Sequence, residues 1–105
     1  MRLGFFAMPL HPKQRNYTET LDEDRELTLL AEKLGFEEAF FGEHITDAAE
    51  TITSGLIFIA WLLRETKTIK LGSGTVNLPN HHPAMVAAEV AMVDHMSKGR
   101  FIFGI

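Results

Sequence analysis

Glu43 and His44 are adjacent in this sequence, and both residue types can transfer protons. Glu43 and His44 follow Phe36–Phe41, a short apolar run typical of a buried strand. An imidazole titrates near neutral pH, so a positioned His44 can act as a general acid or base, and Glu43 can fix its orientation. Alternatively, His44 is a loop histidine that bonds only to water or backbone. The residues alone leave both interpretations open.

A second candidate feature is the glycine-containing run Gly72-Ser73-Gly74-Thr75. Glycine weakens a strand unless something must approach the backbone closely. A flat ligand can lie against such bare backbone, and the hydroxyls of Ser73 and Thr75 can bond to it. A bulge or a tight bend is the rival explanation, and the spacing does not choose between them.

The other histidines favour structural roles. Asn80, His81 and His82 precede a predicted helix start, where backbone N–H groups attract anions, but capping is the favoured use. His95, beside Asp94, is assigned to a helix terminus or to solvent. The five histidines show no paired metal-ligand spacing, so no metal site is predicted.

The elements that must position these residues alternate between strands and helices. Apolar runs predict strands at Arg2–Met8, Phe36–Phe41, Ile69–Leu78 and Arg100–Ile105. Helices are predicted from a capping box at Thr20 and Glu23 to Gly35, from Ser54 to Arg64, and from Pro83 to Gly99. The first helix carries an apolar stripe formed by Leu27, Leu30, Ala31 and Leu34. The apolar second helix should be covered on more than one side.

This β-α-β-α-β-α-β order is the pattern of parallel α/β folds. A doubly wound sheet, a (β/α)8 barrel and a small four-stranded parallel sheet all share it. A dinucleotide-binding fold would carry a glycine-rich loop after the first strand, yet residues 9–20 contain no glycine. The phosphate-binding loop pattern of nucleotide hydrolases is also absent.

Composition excludes several classes of function. The 105 residues are 46% apolar and carry a net charge of −4 without a basic run, which argues against nucleic acid as a partner. The lack of cysteine excludes disulfides and thiol catalysis. The longest apolar run, Gly55–Leu63, is far shorter than the roughly 20 residues of a membrane-spanning helix. With no signal-peptide pattern at the start, a cytoplasmic protein is expected.

Several segments occur together in the order known from one enzyme family. They are Arg2–Phe6, Gly42-Glu43-His44, Leu71–Pro79, Asn80-His81-His82-Pro83 and Asp94–Phe101. The chain thereby resembles the bacterial luciferase-like flavin-dependent monooxygenases, limonene-monooxygenase-type members above all. The resemblance implies a partial (β/α)8 TIM barrel with parallel strands. Residues 1–105 would form its first three and a half βα units, the N-terminal half of an incomplete domain.

The resemblance also implies chemistry. Such enzymes bind reduced FMN from a separate flavin reductase and insert one oxygen atom of O2 into an organic substrate, whereas relatives with F420 transfer hydride. His44 would be the catalytic or flavin-pocket histidine, with Glu43 as its neighbour. A cis peptide at Ser73-Gly74 or Gly74-Thr75 would support the flavin ring, and Asn77 would reach its polar edge.

The phosphate site would lie beyond residue 105, and without it the isolated 105 residues should be inactive. They should also self-associate as a homo-oligomer, because two sheet edges lack partners. A non-catalytic assembly or flavin-binding module is the remaining alternative.

Overall fold

A computed structural model describes residues 1–105 as alternating strands and helices. The strands are β1 (Gly4–Ala7), β2 (Glu38–Phe41), β3 (Lys70–Ser73) and β4 (Phe101–Ile102). The α-helices are α1 (Tyr17–Lys33), α2 (Gly55–Leu62) and α3 (Pro83–Ser97), and a 3-10 turn spans Leu78–Asn80. Neither α2 nor any other helix combines the length and apolar character needed to cross a bilayer.

All four strands are parallel and lie in the order β1-β2-β3-β4, as expected for consecutive βα units. A doubly wound sheet reverses its strand order near the middle, so the sequential order excludes that alternative. Alternate strand residues face the helices and form the core with α2. This cluster includes Ala39, Phe41, Leu71, Ile59 and Leu62. The opposite face of the sheet, which we call the open face, carries Phe6, Met8, Phe40, Gly72 and Gly74.

Helix α1 begins earlier than the sequence predicts. Its N-cap is Asn16, whose Oδ1 accepts hydrogen bonds from the backbone N–H groups of Thr18 and Glu19. The predicted capping box at Thr20 and Glu23 is therefore wrong. Thr20 lies inside the helix and donates its hydroxyl to the carbonyl oxygen of Tyr17, because Asn16 already satisfies the first free donors.

The predicted apolar stripe of α1 is mostly exposed. Leu27, Leu30 and Leu34 are 52%, 50% and 67% exposed, and only Ala31 is buried. The buried side of α1 is instead formed mainly by Thr20, Asp24, Thr28 and Ala31. The reason is topological: β1 is an edge strand, so no further element covers the leucines, which line an open groove with Phe5 and Phe36.

The other helices agree with their sequence signals. The Ser54 side chain caps α2 by accepting from the N–H of Ile57, and His82 Nδ1 caps α3 by accepting from the N–H of Ala84. Phe58, Ile59 and Leu62 of α2 are buried, but Ile57 and Trp61 are 74% and 41% exposed, so the expected cover on more than one side is only partly present. Gly35 and Gly99 follow α1 and α3 with positive φ, as expected at helix ends.

The strands are shorter than predicted, most clearly at β3. Pairing ends at Ser73, and the predicted continuation to Leu78 instead forms a loop and the 3-10 turn. There the N–H of Asn77 donates to the carboxylate of Glu43 rather than to a neighbouring strand. The end of the predicted strand thus belongs to a polar cluster.

A carboxylate on α1 organises the connection that enters β3. Glu32 Oε1 accepts backbone hydrogen bonds from Lys67, Thr68 and Ile69 at 2.9, 2.6 and 2.9 Å. Partial burial acts to raise the pKa of Glu32, but the backbone donors together outweigh it and hold that pKa below its ordinary value. The carboxylate therefore stabilises the fold above its ordinary pKa, and this stabilisation is lost as pH falls through the folded-state pKa.

We expect Glu32→Gln to lower the free energy of unfolding at neutral pH by about 1–3 kcal/mol, the range for hydrogen bonds to a charged group. The difference should shrink at a pH well below the ordinary pKa of glutamate, where the wild-type carboxyl becomes protonated. Urea unfolding at both pH values measures it. Glu26→Gln, an exposed position of the same helix, is the control. An equal loss at both pH values would show that ionisation of Glu32 is not the cause.

Candidate active site

The polar residues singled out in the sequence meet at the C-terminal ends of the strands. Met8 follows β1, Glu43 and His44 follow β2, and residues 74–77 follow β3. Since parallel strands end at the same edge of a sheet, the fold brings these segments together. Contacts between all three segments confirm it.

Glu43 is buried and contacts several residues of this cluster, but it is not the orienting partner of His44. Its carboxylate has no exposed surface and lies 2.7 Å from His81 Nε2. It also accepts the N–H groups of Asn77 (3.2 Å) and Gly55 (3.4 Å). It forms no hydrogen bond with His44, whose Nε2 contacts Glu50 and Met8 instead. The expectation that Glu43 orients His44 is therefore corrected: Glu43 joins the loop after β3 to the start of α2.

The partner of His44 is a residue that sequence reasoning missed. His44 Nε2 lies 2.6 Å from Glu50 Oε2 and 3.4 Å from Met8 Sδ. The imidazole is 38% exposed, and its Nδ1 forms no hydrogen bond within the chain. Glu50 lies in a loop without periodic pattern, so nothing in the sequence pointed to it. His81 was assigned to helix capping, and only the fold reveals its pairing with Glu43.

A third histidine–carboxylate pair joins the segment after β1 to α1. His11 Nε2 lies 3.0 and 3.1 Å from the two carboxylate oxygens of Asp24 on α1, and Asp24 is buried. Burial raises the pKa of Asp24, and the contact with His11 only partly opposes this effect. The pair holds the segment after β1 against α1.

The glycines of the run after β3 are covered by aromatic rings on the open face. A Cβ atom added at Gly74 would lie 2.6 Å from Phe6 Cε2, and one added at Gly72 would overlap the ring of Phe40. The close approach of side chains to bare backbone therefore explains both glycines. The Gly74-Thr75 peptide is cis, one of the two bonds at which the resemblance implied this geometry.

The hydroxyl of Ser73 is already engaged. It donates to the carbonyl oxygen of Gly104 at 3.0 Å and accepts the N–H of Gly104 at 2.9 Å, and the residue is buried. These bonds join β3 to the segment after β4, and ligand binding by this hydroxyl stays a prediction. Asn77 Nδ2 donates a hydrogen bond to the carbonyl oxygen of Glu43, at 2.7 Å. The hydroxyl of exposed Thr75 forms no hydrogen bond within the chain.

Comparison with known proteins identifies the family. The family model described as luciferase-like monooxygenase matches residues 1–105. This chain belongs to the luciferase-like monooxygenase family. Among curated relatives of this luciferase-like chain, 4-hydroxyprotoasukamycin monooxygenase of Streptomyces nodosus subsp. asukaensis is 41% identical over 97% of the chain. Limonene 1,2-monooxygenase of Rhodococcus erythropolis is 40% identical over 96% of it.

Solved structures agree with this assignment. The oxygenating constituent of 3,6-diketocamphane monooxygenase from Pseudomonas putida, in complex with FMN, superposes on the luciferase-like chain with a TM-score of 0.95 at 27% identity. That match covers the whole chain but 29% of the neighbour, and the two curated relatives are covered over 28% and 26% of their length. The luciferase-like chain thus spans about a quarter of its relatives, and its fold is part of a parallel βα barrel.

Proposed function

We propose that the encoded polypeptide containing this chain is an FMN-dependent monooxygenase that uses reduced flavin and O2 to oxygenate a small organic substrate. The observation that carries the proposal is the superposition on an FMN-bound oxygenase with a TM-score of 0.95. Family membership over all 105 residues supports it. Because the relatives are much longer, residues 1–105 would form the N-terminal half of the barrel. The phosphate-binding residues would lie in the other half.

The residues at the strand ends fit one side of a flavin ring. The open face supplies an apolar surface in Phe6 and Met8, which are 54% and 47% exposed. The backbone of Gly74 and Thr75 lies beside them, with the free hydroxyl of Thr75 at the edge. His44 Nδ1 and Asn77 Oδ1 likewise lack hydrogen-bond partners within the chain. An apolar platform with a few unpaired polar atoms is the arrangement expected of a cofactor pocket.

Each of these residues has a defined task in the proposed enzyme. Bound FMN, when reduced, would supply the electrons that activate O2. The apolar side chains would exclude water from the ring, and the backbone at Gly74-Thr75 would support it. His44 Nδ1 would accept or return a proton beside the reacting atoms. Glu43 would hold Asn77 and the loop after β3 in place.

Further partners belong to the same proposal. Reduced FMN would come from a separate flavin reductase, as is usual for the family this chain resembles. The isolated 105 residues would self-associate and remain inactive, since β1 and β4 are edge strands and the α1 leucines are uncovered. A single monomeric species in light scattering of the isolated residues at micromolar concentration would contradict self-association.

Hydride transfer from reduced F420 is the second candidate function. The coenzyme F420-dependent tetrahydromethanopterin reductase of Methanopyrus kandleri superposes with a TM-score of 0.71 at 27% identity. The weaker superposition makes F420 the less favoured cofactor.

The discriminating experiment supplies the encoded polypeptide with NADH, FMN and a flavin reductase under ¹⁸O2, or with reduced F420 instead. The substrates offered are limonene and 3,6-diketocamphane, compounds named in two of the similar proteins. One ¹⁸O atom in a product formed only with FMN supports the monooxygenase. A reduced product without ¹⁸O, formed only with F420, overturns it in favour of hydride transfer. Absence of any product with either cofactor would favour a non-catalytic flavin-binding or assembly module.

A further inference from the structure

Glu50 carries a buried carboxylate oxygen whose hydrogen bonding is incomplete. The side chain is 12% exposed, and Oε2 accepts no hydrogen bond of regular geometry. Leaving such an acceptor unpaired is unfavourable, because a buried polar atom has lost its hydrogen bonds to water. The donor within reach is His44 Nε2, 2.6 Å away.

The surroundings of His44 decide which ring nitrogen carries the hydrogen. The two groups in contact with Nε2 are Glu50 Oε2 and Met8 Sδ. An ionised carboxylate and a thioether can only accept hydrogen bonds. Nε2 must therefore be the protonated nitrogen of a neutral ring, which leaves the lone pair on Nδ1. The other nearby carboxylate, Glu43, is directed at His81 and does not compete.

Glu50 is held in this place by backbone contacts on both sides. Leu10 and Glu50 form an antiparallel bridge, and the N–H of His11 donates to the carbonyl oxygen of Ala49 at 2.8 Å. His11 is itself fixed by Asp24. The Tyr17 hydroxyl donates to the carbonyl oxygen of Thr51. The segment that presents Glu50 is thus anchored to α1 and to the loop after β1.

We propose that Glu50 is a positioning residue for the reaction. It holds the hydrogen of His44 on Nε2 and leaves Nδ1 as the atom that exchanges protons with the reactants. The catalytic part of this inference rests on the proposed function, whereas the assignment of the ring hydrogen to Nε2 is independent of it.

The first test is spectroscopic and needs no turnover. The encoded polypeptide is labelled with ¹⁵N-histidine, and the ring nitrogens of His44 are assigned by comparison with His44→Ala. The wild type should show a protonated Nε2 and an unprotonated Nδ1. Glu50→Gln places an amide donor opposite Nε2 and should shift the hydrogen to Nδ1. A wild-type ring with its hydrogen on Nδ1 overturns the inference, whether or not the variant folds.

The second test measures catalysis. Glu50→Gln should lower kcat between about 10- and 100-fold, with KM and the Kd for reduced FMN within about twofold of wild type. Introduced into His44→Ala, the same change should cause no further loss, since Glu50 acts through His44. Glu65→Gln, which removes an exposed ion pair with Arg25, is the matched control.

The outcomes separate the two proposals. An equal loss with and without His44 would show that Glu50 is merely structural and would overturn the inference. If the wild type oxygenates nothing, the proposed function fails while the ring hydrogen of His44 still decides the role of Glu50.

Discussion

Replacing His44 with alanine should lower kcat by about 10²–10⁴-fold, the range that one proton-transferring side chain contributes. The physical reason is that His44 presents an unpaired Nδ1 at the strand ends, and alanine cannot move a proton. Binding of reduced FMN should change by less than about threefold, because a group used mainly in the transition state contributes to kcat more than to binding. Single-turnover oxygenation and an anaerobic FMN titration measure the two effects.

The control for this experiment is His95→Ala. His95 is an exposed residue in the last turn of α3. This substitution should leave both quantities unchanged. If His44→Ala retained wild-type kcat, His44 would have no role in proton transfer and Glu50 would have no catalytic group to position.

Replacing Glu43 with alanine should lower the free energy of unfolding by about 3–5 kcal/mol, as is typical when one partner of a buried pair is removed. The change leaves His81 Nε2 and the N–H groups of Asn77 and Gly55 without their shared acceptor. Urea unfolding at neutral pH measures this loss. Because the loop after β3 would lose its anchor, binding of reduced FMN should weaken as well.

Glu65→Ala provides the comparison for Glu43. Its carboxylate pairs with Arg25 at 2.7 Å but is 42% exposed, so the loss should stay below about 1 kcal/mol. Equal losses for Glu43→Ala and Glu65→Ala would mean that burial does not set the strength of the Glu43 cluster.

Local sequence signals predicted the fold well wherever one element carried its own evidence. Ser54, His82 and Gly99 marked helix ends correctly, since capping depends on residues only a few positions apart. The start of α1 was misplaced because Asn16 and the Thr20–Glu23 pair offer competing caps. The apolar stripe of α1 was predicted, but its exposure was not, because exposure depends on which other elements pack against the helix.

The site was only partly predictable for the same reason. His44 and the glycine run could be found because strand ends and glycine spacing are local features. The pairs His81–Glu43 and Glu50–His44 join residues from different loops, and their geometry depends on how the strands align. The bond between Ser73 and Gly104 could not be predicted either, because it forms across the sheet.

An anaerobic titration of the encoded polypeptide with reduced FMN, followed by flavin absorbance before and after O2 is added, tests directly whether these strand ends hold a flavin. We expect saturable binding with a Kd on the order of 10⁻⁶ M. After O2 is added, the bound flavin should pass through a spectrum distinct from that of free oxidised FMN. Unchanged absorbance of reduced FMN at every protein concentration would contradict the assignment of these strand ends as a flavin site.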